Sequence, residues 1–364
     1  MSTEPPIAQA SLYAARPSFL LNGQRCPAAD ELLVCAEVHE ERDGLAHAEL
    51  RFADTVRTSE RGIGWAFETE GGSPLSLGTS VRLFMGDETS PQEIFQGIIS
   101  AVEISFEPAH PPELLVFAED ALWKARMRRR TRTYTERTLG GLVETIAAEL
   151  GLRPRVSGLD QDPGTQVQIN ETDLGFLRRV LERFDGWMKI SGQELEAGPW
   201  SQGSLREITL ELHSLLKSVR VTADLADQVS AVTYSGWDAV QGAVIHVESN
   251  GALPLGPGTG RTGTQVLEEA FGPRREHAGA FVTADDREAR ALVDSLYLQR
   301  ARRFVIVDGC AAGHPGLRVG TRVRLQGLGP RFDNTYTVTR TRHRFDLING
   351  YETDFEAEGA RFGG

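Results

Sequence analysis

The chain has 364 residues, 40% of them hydrophobic and 25% charged. That is ordinary globular composition, enough for more than one core. A net charge of −12 argues against a general nucleic-acid binder, which needs a basic face. The three cysteines, Cys26, Cys35 and Cys310, include no CxxC pair, so a disulfide framework or thiolate zinc site is not expected and a reducing cytoplasm fits.

The N-terminus lacks the basic start and apolar run of a secretory signal, and no stretch reaches the ~18–20 apolar residues of a membrane span. Residues 1–16 read as an extension. From 17 to 119 short alternating segments recur: Leu32–Glu40, Ala48–Phe52, Ser80–Phe84, Ile94–Phe106 and Leu114–Phe117. Turn signals at Asp43-Gly44, Gly71-Gly72-Ser73-Pro74 and Pro108 to Pro112 divide them, which predicts an antiparallel barrel or sandwich.

The period changes in residues 120–224. A basic run, Lys124, Arg126, Arg128, Arg129, Arg130 and Arg132, reads as a solvated or subunit-facing edge. Leu139, Leu142, Val143, Ile146, Ala147 and Leu150 then recur at helical spacing, with Thr138 as N-cap and Gly151 past the end. A second helix carries Leu174, Leu177, Leu181 and Phe184 on one stripe, capped by Thr172 and stopped by Gly186. A hairpin turning near Ser191-Gly192 follows, so the middle is a small α/β unit.

Strand character returns at Val229–Trp237 and Ala243–Glu248. A Gly/Pro-rich loop covers 250–263. A helix at Asp285–Arg302 turns Ala289, Leu292, Val293 and Leu296 inward, with Thr283 and Asp286 at capping-box spacing. The rest, from Arg303 to Glu358, is strand again, and 359–364 reads as a tail.

One feature is internal. Leu77-Gly78-Thr79-Ser80-Val81-Arg82-Leu83 matches Val319-Gly320-Thr321-Arg322-Val323-Arg324-Leu325. Each copy is followed by a turn region, a long alternating strand (Ile94–Phe106; Tyr336–Phe345) and a short strand ending on acidic residues. The order predicts duplication of one barrel, with Val and Leu facing inward and Arg outward. The expected fold is α+β: two similar antiparallel β-barrels, at 17–119 and at 225–249 with 303–358, with the α/β unit between them and a loop-and-helix insertion at 250–302.

No catalytic, cofactor or metal site is expected. Gly258, Gly260 and Gly263 spell GxGxxG, with Asp285 and Asp286 beyond, but the loop Ser249 to Pro257 separates them from the strand that a dinucleotide fingerprint must follow. There is no HExxH, no GxSxG and no phosphate-binding lysine in the loop. Glu40 with Glu41 and Asp285 with Asp286 are adjacent, so their side chains diverge and suit no glycosidase pair.

Residues 170–183, Asn170-Glu171-Thr172-Asp173-Leu174-Gly175-Phe176-Leu177 onward, resemble the "E-S-D-L-x-F-L-x-R-L" helix of late control protein D and VgrG proteins. Arg130 to Tyr134 leading into Thr138–Leu152 is similar to that family's preceding segment. Gly327-Leu328-Gly329, Phe332-Asp333, Tyr336-Thr337-Val338-Thr339, His343 and Gly350-Tyr351-Glu352-Thr353 match its C-terminal run, with Asn334 where Gly is common, a residue that tolerates left-handed turns.

The resemblance implies a baseplate hub of a contractile phage tail or injection system. It implies a homotrimer adapting a hexameric inner tube, or tube initiator, to a trimeric central spike among surrounding baseplate proteins. The OB-like domain and β-helical needle of VgrG proteins do not follow the second barrel, which points to a spike on a separate chain. The resemblance implies no enzymatic activity, no specific nucleic acid, no stable membrane insertion, synthesis in the cytoplasm and residence in a tail-like particle. A tail-associated cell-wall hydrolase and a hub fragment of a type VI spike protein are the rival readings.

Overall fold

The structure is a computed structural model that describes residues 16–57, 63–68, 72–87, 89–108, 111–202, 206–279 and 281–363. The expected extension at 1–16 lies outside these residues except for Arg16, as do parts of the turns at Gly71 and Pro108–Pro112. The chain is mostly antiparallel sheet, with six α-helices among the described residues.

The N-terminal strands are β1 (Ser18–Leu21), β2 (Leu33–Glu41), β3 (His47–Ala53), β4 (Ser80–Gly86), β5 (Pro91–Ser105) and β6 (Glu113–Glu119). The middle holds β7 (Arg129–Tyr134), α1 (Leu139–Glu149), β8 (Gln166–Thr172), α2 (Asp173–Arg183), β9 (Gly186–Ser191) and β10 (Glu194–Pro199). Then come β11 (Glu207–Glu211), β12 (Leu216–Ala223), β13 (Ala231–Asp238), β14 (Ala243–Ser249), α3 (Gly263–Phe271) and α4 (Asp286–Arg302). The last four strands are β15 (Val305–Ala312), β16 (Arg322–Gln326), β17 (Thr335–Asp346) and β18 (Gly350–Gly359).

One 13-stranded sheet spans the molecule. Its N-terminal half runs β2-β3-β6-β5-β4-β1 and its C-terminal half β12-β15-β18-β17-β16-β11, joined where β17 pairs with β2. Ranked along the chain, both halves have the same order, 2-3-6-5-4-1. The register matches too. Gly78 N donates to Ile99 O and Ile99 N to Thr79 O, both at 2.9 Å; Gly320, Val338 and Thr321 repeat both bonds at 2.9 Å. Bulges interrupt β5 between Ile99 and Ala101 and β17 between Val338 and Arg340, and likewise β2 between Leu33 and Cys35 and β12 between Leu216 and Ser218. The halves differ at one strand: β1 joins β4 antiparallel, β11 joins β16 parallel.

Period two explains the cores. Val81, Leu83, Val323 and Leu325 are fully buried while Arg82 and Arg324 are exposed. Phe19, Leu50, Phe52 and Val116 fill one half, and Val307, Tyr336, Val338 and Phe355 the other. Each fully buried side chain of this size contributes about 1.5–3 kcal/mol.

Several expectations are corrected. Residues 207–223 do not belong to the middle unit: β11 and β12 complete the large sheet. Residues 231–249 do not join that sheet; β13 pairs with β14 on one side and Arg275–His277 on the other, and β13 and β14 pack under α4 through Val232, Tyr234, Val247, Val293 and Tyr297. Alternation alone does not say which sheet a strand enters. The helix α3, directly after the Gly-rich loop, was not expected; Thr262 and Gln265 form its capping box. The predicted tail at 359–364 is strand in part, since Arg361 and Phe362 pair with Thr262 and Arg261. Asp285, not Thr283, caps α4, accepting from Glu288 N at 2.9 Å. At the end of α2 the stop is Asp185, in left-handed conformation at φ 54°, and Gly186 opens β9.

Candidate functional site: the junction of the sheet halves

The seam between β2 and β17 carries a buried polar cluster. Alternation turns Glu40 and Val38 of β2 and Thr341 and His343 of β17 toward the interior. Arg318, on the loop before β16, donates to Glu40, with Nε to Oε2 at 2.8 Å. Burial works to raise the Glu40 carboxyl, and Arg318 overrides it and holds the group below its ordinary value. His343 Nδ1 lies 2.8 Å from the Tyr351 hydroxyl and 3.3 Å from Thr353 Oγ1. Burial, aided by Arg318, pushes His343 down to about 3, so the imidazole is neutral at physiological pH. The His343 expected from the motif is therefore a sealed core group with no route to substrate.

That assignment has a pH signature. An unfolded histidine takes up its proton near pH 6.5, whereas folded His343 resists it. Its contribution is present above pH 6.5 and is lost as pH falls toward 3. Asp120 acts oppositely: burial raises it to about 7 against bonds from Ala46 N and Leu122 N, so its share is lost as pH rises from 3.8 toward 7. Comparison with His343→Gln isolates the histidine. The variant should be less stable at pH 7.5, and the gap should close by about 2 kcal/mol at pH 5. Denaturant titrations at both pH values measure it; a constant gap contradicts a neutral His343.

A second buried cluster fastens the middle unit to the sheet. Arg302, at the end of α4, donates to Asp185 (Nη1 to Oδ2, 2.8 Å) and to Glu358 of β18 (Nε to Oε1, 3.0 Å). Trp200 Nε1 donates to the same Glu358 oxygen at 2.7 Å. Burial works against the Arg302 charge, and Asp185 and Glu358 overcome it. Nearby, a cleft of about 610 Å³ is lined by Arg42, Arg178, Arg300, Arg303 and Arg340, offset by Glu41, Asp43, Glu182, Asp227 and Glu356. Its charges balance, so it offers no strong field to an ionic ligand.

The remaining sequence candidates resolve into packing. In the basic run, Arg126 pairs with Glu119, Arg130 with Glu149 and Asp173, and Arg132 with Glu149, while Arg129 Nη1 donates to Asn170 O at 2.9 Å. Arg130 and Arg132 are an internal tie between β7, α1 and α2, while Lys124, Arg126, Arg128 and Arg129 are exposed. Gly260 sits at φ 95° against the backbone of Gly363, where a Cβ would collide. Asn334 clamps that loop: its Oδ1 accepts from Thr259 N and its Nδ2 donates to Thr259 O, both at 2.9 Å. Those bonds, rather than a left-handed turn, account for Asn334, whose φ is not positive. Asp333 Oδ1 accepts from Leu328 N at 2.6 Å and shapes the turn before β17. Arg82 pairs with Glu93 on its own hairpin. Asp285 is engaged as the α4 cap and Glu40 by Arg318. Among the described residues one group has metal-ligand chemistry: His39, His47 and Glu49. His39 and His47 face each other across β2 and β3 with rings stacked at 4.6 Å, and Glu37 bonds His39 Nε2 at 3.1 Å.

No curated protein matches the sequence. Among solved structures, the chain is similar to the 43 kDa tail protein of prophage MuSo2 from Shewanella oneidensis (TM-score 0.67, 11% identity, 94% of this chain and 97% of that one). It is also similar to the tail protein from Neisseria meningitidis MC58 (0.64, 12%, 95% and 97%). A third similar structure is c3393, a component of the type VI secretion system from Escherichia coli (0.58, 14%, 95% and 78%). At these identities what is shared is the fold, that of phage tail proteins. The family described as Alg8 N-terminal domain matches residues 15–346, most of the sheet and all of the middle unit. The chain belongs to the Alg8 N-terminal domain family.

Proposed function

We propose that the chain is a structural hub subunit in the baseplate of a phage-like contractile machine, of the late control protein D and VgrG type, and that it acts without turning over a substrate. The observation that carries this reading is the repetition of one six-stranded order, register and pair of bulges in both halves of the sheet. A chain with two like units forms, as a homotrimer, a ring of six. Such a ring meets a hexameric tube on one side and a trimeric spike on the other. In this reading each half is a barrel that lines the ring. The middle unit and α4 lie outward, toward other baseplate proteins, and the machine is a particle assembled in the cytoplasm. The tail-protein fold supports the class of role.

Deleting the gene should leave no tubes seated on baseplates by electron microscopy. Intact particles that lack only an enzymatic activity would refute the structural role. Native mass measurement on baseplates should find three copies; a single copy would end the adapter reading.

A further inference from the structure

The seam between β2 and β17 is a strand junction whose two halves recur, unjoined, elsewhere in the chain. The near part of β17 pairs with β16, and its far part, Arg340–Asp346, runs beyond β16 and takes β2 as neighbour. In the N-terminal half β5 does the same: Pro91–Ile98 pairs with β4, and the far part, Ala101–Ser105, runs on with β6 alone on one side. Among the described residues nothing pairs with its other edge. Likewise β12, the counterpart of β2, pairs from Ser218 to Ala223 with β15 alone among the described residues and ends the sheet. One chain thus carries an open far-strand edge and an open receiving edge, with six strands between them along the sheet.

The shared register says how they would meet. Since Val338 corresponds to Ile99, Thr341, His343 and Phe345 correspond to Val102, Ile104 and Phe106. Since the Leu33–Cys35 bulge corresponds to Leu216–Ser218, Glu40, Val38 and Ala36 correspond to Ala223, Val221 and Val219. Within the chain the pairs Thr341–Glu40, His343–Val38 and Phe345–Ala36 are covered. Their counterparts are apolar and less covered: Val102 is 39%, Ile104 44% and Phe106 63% exposed, with Trp65 edge-on to Phe106 at 5.9 Å, while Ala223 is exposed and Val221 and Val219 are half-buried. The charges also complement. Arg342 reaches diagonally to Glu37 at 3.6 Å, and the same diagonal in the counterpart joins Glu103 to Arg220, with the signs exchanged. Neither Glu103 nor Arg220 has an ion-pair partner among the described residues.

We infer that β5 of one copy adds antiparallel to β12 of a second copy, placing Val102 opposite Ala223, Ile104 opposite Val221 and Phe106 opposite Val219. The contact is head to tail, so each copy uses both edges and the sheet continues from chain to chain. The inference deepens the ring proposed above and takes only the number of copies from it.

The test uses the full chain. Glu103→Cys and Thr222→Cys, directly opposite in this register, should give covalent multimers on mild oxidation when combined. Each single variant, and Glu107→Cys combined with Thr222→Cys, four residues out of register, should not. Ile104→Asp, at a site already open in the monomer, should leave thermal unfolding unchanged and weaken self-association by about 100-fold or more in sedimentation. Glu103→Arg should weaken it as well, and Glu103→Arg with Arg220→Glu should restore it. Multimers that do not crosslink through 103 and 222, or that crosslink equally out of register, overturn this edge assignment and leave the ring reading standing. A chain that stays monomeric both in solution and in particles overturns both.

Discussion

A chain carrying Val323→Asp is expected to lose its folded C-terminal half. Val323 is fully buried on β16, between β11 and β17, among Leu210, Leu325 and Tyr336. A carboxylate there finds no cation, since Arg322 and Arg324 point to the other face of the strand by period two. An unpaired buried charge costs several kcal/mol, on the scale of the ~5–15 kcal/mol that holds a whole domain. Val81→Asp, at the matching position of β4, should do the same to the N-terminal half. Arg82→Ala and Arg324→Ala, on the exposed face, should each change stability by less than about 0.5 kcal/mol. Soluble yield and denaturant midpoints measure all four. A Val323→Asp chain that unfolds at the parent's midpoint would show that the β16 register is wrong.

The second large effect is expected at Arg302. Methionine in its place leaves Glu358 buried without its cation and Asp185 with only the longer contact to Arg42 at 3.7 Å, and should cost about 3–5 kcal/mol. Burial already raises the Asp185 carboxyl above its ordinary value with Arg302 in place, and removing the arginine should raise it further. Neutralising all three positions, as Arg302→Met with Asp185→Asn and Glu358→Gln, should recover much of the loss. Asparagine keeps the left-handed backbone at 185 and glutamine still accepts from Trp200. If the single variant loses under about 1 kcal/mol, the cluster is not what fastens the middle unit.

What could be read from the residues divides by range of interaction. Local signals were legible: the Thr138 and Thr172 caps both accept the expected backbone N–H, and the hairpin turns at Gly192 with φ 63°. The repeated Gly-Thr motif was legible because a tight turn into a half-buried strand restricts residue type. Sheet membership was not. Val229–Trp237 and Leu216–Ala223 alternate alike, yet one strand packs under α4 and the other ends the large sheet. That choice rests on partners distant in sequence. The charged clusters hid for the same reason: Glu40 and Arg318, or Asp185 and Arg302, carry no spacing that marks them as pairs. The apolar stripe Val102, Ile104, Phe106 was visible as alternation, but only the unpaired edge beside it gives it meaning.

The pairing of β2 with β17 also bears on how the chain is made. At a synthesis rate of ~5–20 residues per second, β2 leaves the ribosome roughly 15–60 s before the last residue of its partner, Asp346. Throughout that interval its outer edge is an open template for any other nascent chain on the same message. Glu37, Glu40 and Glu41, which later meet arginines, are like charges in the meantime and keep two such edges apart. Messages that end before β17 should therefore yield chains whose fate rests on those three glutamates, and replacing Glu37 and Glu41 with threonine, leaving Glu40 to its buried Arg318, should drive the truncated products into aggregates while full-length chains still fold.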